Sequence, residues 1–284
     1  MTDTKIGFFG LGLIGGSIAK AIRSHYPNIH IQVYSRRKNP ELETGVAEGV
    51  INTIHYDMAE LFSTSDILFL CAPVLTNISV LPKLKPLIQN HCIITDVGSV
   101  KGDIYREATR LGMEKNFIGG HPMAGSEKTG YANSSRTLLK NSYYLLTPTE
   151  QTSKENLDRL ASLLSCTQSK CIVLDAGKHD DVTAAISHVP HIVAAALVNM
   201  VQNGDDENNY MKTFAAGGFK DITRIASSSP EIWESICISN KKSICSFLDQ
   251  LISSLNEIQS NIADENIEAV NAFFKSACDY RNSL

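Results

Sequence analysis

No C-x-x-C pair occurs among the seven cysteines, which are odd in number and scattered along the chain. Neither a disulfide framework nor a structural zinc site is expected; reduced, mostly buried thiols of a cytoplasmic protein are. Basic residues do not outnumber acidic ones. The 26 Lys and Arg stand against 30 Asp and Glu, a net charge of −4, which argues against a nucleic-acid surface. No apolar run approaches membrane length, and Met1-Thr2-Asp3-Thr4-Lys5 leads straight into a strand-like segment, so neither a span nor a signal peptide is expected. No cluster of metal ligands is evident. At 284 residues the chain has room for about two domains.

What the chain does have is a glycine-rich turn between a strand and a helix. Lys5-Ile6-Gly7-Phe8-Phe9 is short and apolar, and Ser17 to Arg23 carries apolar residues at helical spacing. Gly10-Leu11-Gly12-Leu13-Ile14-Gly15-Gly16 joins them. In a G-x-G-x-x-G turn Gly10 permits the tight bend, Gly12 lets a pyrophosphate approach the backbone, and Gly15 lets helix and strand pack closely. The helix, entered through Leu13 and Ile14, then points free N–H groups and its positive dipole end at the phosphates. A dinucleotide site is expected here.

A second strand over Ile29 to Tyr34 ends in Ser35-Arg36-Arg37-Lys38. A dinucleotide fold keeps an acidic residue at this distance for the adenosine ribose. A small hydroxyl followed by three cations favours NADP over NAD, the alternative being a solvated basic turn with no role in cofactor choice. Asp66 to Ala72 is a continuous apolar run, the mark of a strand covered on both faces, and Pro73 halts it. Its end puts Cys71, Ala72 and Pro73 among the candidate cofactor contacts. Strands are also read at His91 to Asp96, Phe117 to Gly120, Tyr143 to Thr147 and Cys171 to Asp175, with a helix at 154–164 before the last. This βαβ rhythm predicts an α/β, Rossmann-type, doubly wound sheet over residues 1–175, with ligands at the carboxyl ends of its strands.

Two of those ends carry chemistry. Asp96-Val97-Gly98-Ser99-Val100-Lys101 follows one strand, and Gly120-His121-Pro122 brings another to a histidine that Pro122 biases toward extended backbone. A histidine titrates near neutrality, so His121 is a candidate general acid or base, or else a satisfied structural histidine. Ser99 could orient it, or simply cap a helix. Beyond Gly177 helical periodicity replaces alternation, predicting an all-α domain over 176–284. In its first long helix Pro190, within Ser187-His188-Val189-Pro190-His191, cannot donate to the Ile186 carbonyl and should kink the helix beside two histidines. The stripe Ile244, Phe247, Leu248, Leu251, Ile252, Leu255 and Ile258 points to a helical dimer interface or to a self-contained bundle.

Read in order, Gly10 to Ser17, Asp96 to Lys101, Gly120-His121-Pro122-Met123-Ala124-Gly125-Ser126-Glu127, Ser187 to His191, and Gly217-Gly218-Phe219 through Thr223-Arg224-Ile225 to Trp233 resemble the prephenate and arogenate dehydrogenase family of tyrosine biosynthesis. The glycine turn is shared with many oxidoreductases; the H-P-M-A-G and S-H-x-P-H blocks are far more specific. The resemblance implies NAD(P)-dependent oxidative decarboxylation of prephenate to 4-hydroxyphenylpyruvate, or of arogenate to tyrosine. It implies His121 as the catalytic histidine that takes the ring hydroxyl proton, with Ser99 beside that hydroxyl and the nicotinamide. It implies His191 and Arg224 as substrate-binding positions, Arg224 for a carboxylate, and Glu127, Ser187, His188, Gly217 and Trp233 as residues lining or gating the pocket. A homodimer through the helical domain, and no metal, complete the picture.

Many prephenate enzymes carry an acidic residue where this chain has Ser35, and members with Ser-Arg-Arg there tend toward NADP. No spare length is expected for the mutase or ligand-sensing domains of some relatives, so inhibition by tyrosine would fall at the active site. A related Rossmann-plus-helix hydroxyacid dehydrogenase would share the glycine turn, but nothing matches its lysine motif. The other alternative is an inactive NADP-binding regulator; the Ser99, His121, His191 and Arg224 set argues against it.

Overall fold

The computed structural model describes residues 4–125 and 128–284. An eight-stranded sheet is built from β1 (Lys5–Phe9), β2 (His30–Tyr34), β3 (Thr53–His55), β4 (Ile67–Leu70), β5 (Ile93–Asp96), β6 (Phe117–Pro122), β7 (Tyr143–Pro148) and β8 (Lys170–Val173). Their spatial order is β3-β2-β1-β4-β5-β6-β7-β8. Pairing is parallel from β3 across to β6; β7 is antiparallel to β6, and β8 parallel to β7. The order reverses between β1 and β4, the switch point at which an open α/β sheet leaves a crevice beyond its strand ends. Strand β3 was not foreseen in the sequence, since three residues are too few for alternation to register.

Both faces of this sheet are covered, which is why its central strands are apolar throughout. Successive side chains point to opposite faces. Ile6 and Phe8 of β1 join Ile67 and Phe69 of β4 in one core, together with Ile18 and Ile22 of the helix Leu13–His25. Phe9 joins Leu68 and Leu70 in the other, against Leu81, Leu84 and Ile104. The Phe8 and Phe69 rings stack at 5.1 Å between centroids.

After β8 the described elements are helices and turns. Contacts divide the chain into two compact units, one ending at Asn240 and one beginning at Lys241. In the second, the helices Lys241–Ala263 and Ile267–Arg281 pack on each other, and Ile252, Leu255, Ile262 and Phe274 are exposed.

The helical run Ala176–Gly204 is long and apolar enough to cross a membrane by length and composition. It escaped notice because Thr183, Ser187, His188 and His191 interrupt any continuous apolar stretch. Those same polar residues give the run another use: it carries Ser187 and His191 to a cavity wall. Pro190, which cannot donate to Ile186, is accommodated by a π-helical turn over Ala184–His188 just before the helix Val189–Gly204 begins.

Candidate active site

A cavity of about 730 Å³ opens at the switch point. One wall is the glycine turn from Gly12 to Gly15 with Cys71, Ala72 and Pro73 after β4. Its floor is Ser99, beyond β5, and His121, at the end of β6. Facing these are Ser187, His191, Arg224 and Trp233, supplied by three separate helical segments. Thirteen residues expected at the site from sequence thus line one cavity: Gly12, Leu13, Ile14, Gly15, Cys71, Ala72, Pro73, Ser99, His121, Ser187, His191, Arg224 and Trp233.

The cofactor wall fits a dinucleotide. Gly10 bends the chain at φ +88°, a conformation few residues other than glycine adopt. A Cβ at Gly12 would touch nothing within 4 Å, so the backbone there faces open space. A Cβ at Gly15 would press on the Cys71 Sγ at 3.0 Å, the close helix–strand approach the motif requires. The helix Leu13–His25 has no side-chain cap. Its first N–H groups, at the positive end of the dipole, are therefore left for an anion. Burial pushes the Cys71 thiol far above its usual range, so it is an inert wall group.

Ser35, Arg36 and Arg37 do not line this cavity. With Lys38, Asn39 and Pro40 they form a second recess beyond the end of β2. The Ser35 Oγ donates to the Arg37 carbonyl at 2.6 Å, which tightens the basic turn.

Below the floor lies a buried polar layer. The Lys101 ammonium and the Asp96 carboxylate, both fully buried, form an ion pair. Lys101 Nζ also donates to the Gly120 carbonyl at 2.8 Å, while Asp96 accepts from the Gly98 and Gly120 N–H groups at 2.9 and 3.2 Å. Removing one partner of such a pair costs about 3–5 kcal/mol, because the other charge stays buried and alone. The pair ties the end of β5 to the residue preceding His121.

His121 is held from behind. Its Nδ1 lies 2.8 Å from Nε2 of His179, and Nδ1 of His179 lies 2.9 Å from Asp180 Oδ1. Burial, and then the nearby His179, Lys101 and His188, push His121 well below the ordinary histidine range. That shift favours the neutral form, the form a general base needs. Ser99 lines the floor nearby, but the hydrogen bond that orients the imidazole comes from His179, which sequence reasoning passed over. Its signal was faint: a His-Asp pair in the first turn of the helix Ala176–Thr183.

On the facing wall the His191 ring stacks on Trp233 at 3.9 Å, and its Nδ1 donates to the Ser187 carbonyl at 2.8 Å. Burial and the Arg224 charge both lower the His191 pKa, with the Ser187 bond opposing them. Two expected pocket residues are placed differently. His188 is buried behind the wall, its Nδ1 accepting from Asn240 at 3.1 Å and its ring edge-on to Trp233. Burial holds its pKa down at about 4. Gly217 begins the helix Gly217–Thr223, which delivers Arg224 without itself reaching the cavity. Glu127 lies outside the described residues. Among the described residues no group of His, Cys, Asp and Glu is arranged to hold a metal ion.

Comparison with known proteins converges on one family. The family model of the prephenate dehydrogenase nucleotide-binding domain matches residues 18–173, and that of the prephenate dehydrogenase dimerization domain matches residues 175–276. The chain is 38% identical over 289 aligned residues to a prephenate dehydrogenase of Bacillus subtilis, covering 100% of this chain and 76% of that protein. Among solved structures it resembles the prephenate dehydrogenase of A. aeolicus in complex with hydroxyphenyl propionate and NAD+, with a TM-score of 0.92, 30% identity, and coverage of 99% and 98% of the two chains. It also resembles Synechocystis arogenate dehydrogenase, with a TM-score of 0.84, 31% identity and 99% coverage of each chain.

Proposed function

The chain belongs to the prephenate dehydrogenase family and is an NAD(P)-dependent dehydrogenase, and from that premise we propose that it oxidatively decarboxylates prephenate or arogenate. What supports this reading is that a single cavity is lined by an anion cradle, a histidine at a strand tip whose pKa is held low, and an arginine. The substrate is a cyclohexadienol with a ring carboxylate and, on the opposite ring carbon, a hydroxyl. Gly12 and the first turn of the following helix hold the pyrophosphate, with Cys71, Ala72 and Pro73 beside it. When bound, the nicotinamide supplies the acceptor for the hydride that leaves the hydroxyl-bearing carbon. His121 takes the hydroxyl proton at Nε2, with Ser99 alongside. Arg224 holds the ring carboxylate by a two-point contact. Ser187, His191 and Trp233 flank the side-chain end, and His188 backs them. We place Glu127 among the residues that line or gate the pocket, and Gly217 at the start of the helix that delivers Arg224. Loss of the ring carboxylate as carbon dioxide then makes the ring aromatic.

Cofactor preference is read from the basic turn: Ser35, Arg36 and Arg37 offer hydroxyl and cations, and no carboxylate, to a 2′-phosphate. One experiment tests both parts. Purified protein is assayed with each substrate crossed with NAD and NADP. Reduction of either cofactor with prephenate or arogenate is expected, more efficient with NADP, and Ser35→Asp should weaken NADP more than NAD. Tenfold better activity with NAD removes the NADP assignment. No reduction with either substrate removes the function.

Residues 176–284 we read as a substrate and dimerisation domain. The match to a dimerization domain and the exposed apolar residues of the last two helices support a homodimer. Light scattering should give twice the chain mass; a monomer at micromolar concentration would exclude it. The seven cysteines are free thiols, two of them buried and three exposed where mostly buried ones were expected, and their free state supports a reducing, cytoplasmic setting.

A further inference from the structure

We infer that His179, anchored by Asp180, is a positioning residue that fixes the tautomer of His121 and so leaves its Nε2 free to accept a proton. The inference follows from counting hydrogens along the contacts. Asp180 Oδ1 already accepts from the Lys101 N–H at 2.7 Å, and Oδ2 from the Gly102 N–H at 2.7 Å. Both oxygens are therefore acceptors, and the 2.9 Å contact to His179 Nδ1 requires the hydrogen to sit on the imidazole. His179 is fully buried, and burial lowers its pKa, with Lys101 acting the same way and Asp180 and Asp96 opposing. A neutral imidazole has one N–H, and His179 has spent its own on Asp180. Its Nε2 is thus a lone pair, and the 2.8 Å contact requires His121 to donate from Nδ1. The proton of neutral His121 is thereby pinned on Nδ1.

The anchor is rigid for reasons independent of the histidines. Asp180 holds the entrance of the helix Gly102–Arg110 through those two backbone N–H groups, and its carbonyl accepts from Asn240 Nδ2 at 2.8 Å. The groups facing His121 and His179 are Asp96 from the end of β5, Lys101 at the entrance of the helix Gly102–Arg110, His188 from the π-helical turn, and Asp180 beside His179. Doubly protonated His179 would reverse the hydrogen bond and place the His121 proton on Nε2, the wrong nitrogen. Burial and the Lys101 charge oppose that state. A wrong tautomer disables a histidine base even when its position is kept.

The tautomer does not depend on the proposed reaction; its kinetic consequence does. The first readout is therefore ¹⁵N NMR of the histidine rings in the unaltered protein, with His121 assigned by its absence in His121→Asn. A protonated Nδ1 and an unprotonated Nε2 are expected; a protonated Nε2 overturns the inference, whatever the enzyme does. The second readout is kinetic. His179→Phe should lower kcat by roughly 10- to 100-fold, a part of the 10²–10⁴-fold a positioned base contributes, with KM for the cofactor unchanged. His179→Gln, whose amide oxygen can accept from Nδ1, should recover part of that loss. Full kcat in the Phe variant, or equal losses in two variants that both bind cofactor, would overturn the positioning role. Should the Phe variant not fold, the NMR result and the Gln variant decide. Absence of turnover with both substrates in the unaltered protein would sink the proposed function and leave the NMR test standing.

Discussion

Replacing His121 with Asn is expected to lower kcat by roughly 10²–10⁴-fold while leaving cofactor binding close to normal. The reason is local. An Asn amide can still donate to His179 Nε2 in place of Nδ1, so the wall behind the site keeps its hydrogen bond. What it lacks is a basic nitrogen facing the cavity. The pH profile gives a second, independent mark. Burial and the neighbouring His179, Lys101 and His188 hold the His121 pKa well below the usual histidine range. The acid limb of kcat/KM should therefore fall at lower pH than an ordinary histidine would give, and it should vanish in the Asn variant. Steady-state kinetics over pH 4–8, with cofactor affinity measured separately, checks both. An Asn variant within a few-fold of normal turnover would make His121 a structural histidine.

The sheet was legible because its strands are buried on both faces. Ile67 to Leu70 can be read as a strand from composition alone, and the glycine turn before Leu13 marks the switch point before any strand order is known. The helix Lys154–Leu164 was equally plain, with Ser153 as its cap. The site was legible in its motifs for a similar reason. A residue that must sit at a strand tip or beside a turn is fixed by local sequence, and Gly12, Ser99, His121 and Cys71 are all of that kind.

What the sequence hid is what only the folded chain brings together. His121 and His179 are 58 residues apart, and nothing near either one announces the other. Asp96 and Lys101 sit in a motif that sequence analysis noted, yet their complete burial as an ion pair depends on β6 lying alongside. The Ser187 to His191 block read as one pocket motif, but helical geometry sends His191 to the cavity and His188 into the core behind Trp233. A spacing of three puts two helical residues on neighbouring faces, and it does not say which of them is wet.

Removing the Arg224 side chain is expected to lower kcat/KM by roughly 30- to 3000-fold. Truncating one partner of a desolvated, hydrogen-bonded charge pair costs on the order of 2–5 kcal/mol, partly because the other charge stays unpaired, at about 1.4 kcal/mol per tenfold. Prephenate and arogenate share the ring carboxylate and differ at the side chain. A group that holds the ring carboxylate therefore should not discriminate between them, and the loss in Arg224→Ala should be similar for whichever substrate turns over. It should appear mainly in KM if the contact is equally strong in ground and transition states. The structure adds a readout that needs no substrate. Arg224 helps to lower the His191 pKa, after burial and against the bond to Ser187, so its removal should raise that pKa toward the ordinary value. An NMR titration of His191 in the Arg224→Ala protein measures this directly. The competing view is that Arg224 only caps the helix Gly217–Thr223 or pairs with Asp221 on the surface, where its loss would cost about 0–1 kcal/mol of stability and little activity. A near-normal KM together with an unmoved His191 titration would favour that view. A loss confined to one substrate would move Arg224 to the side-chain end of the pocket, because only there do the two substrates differ.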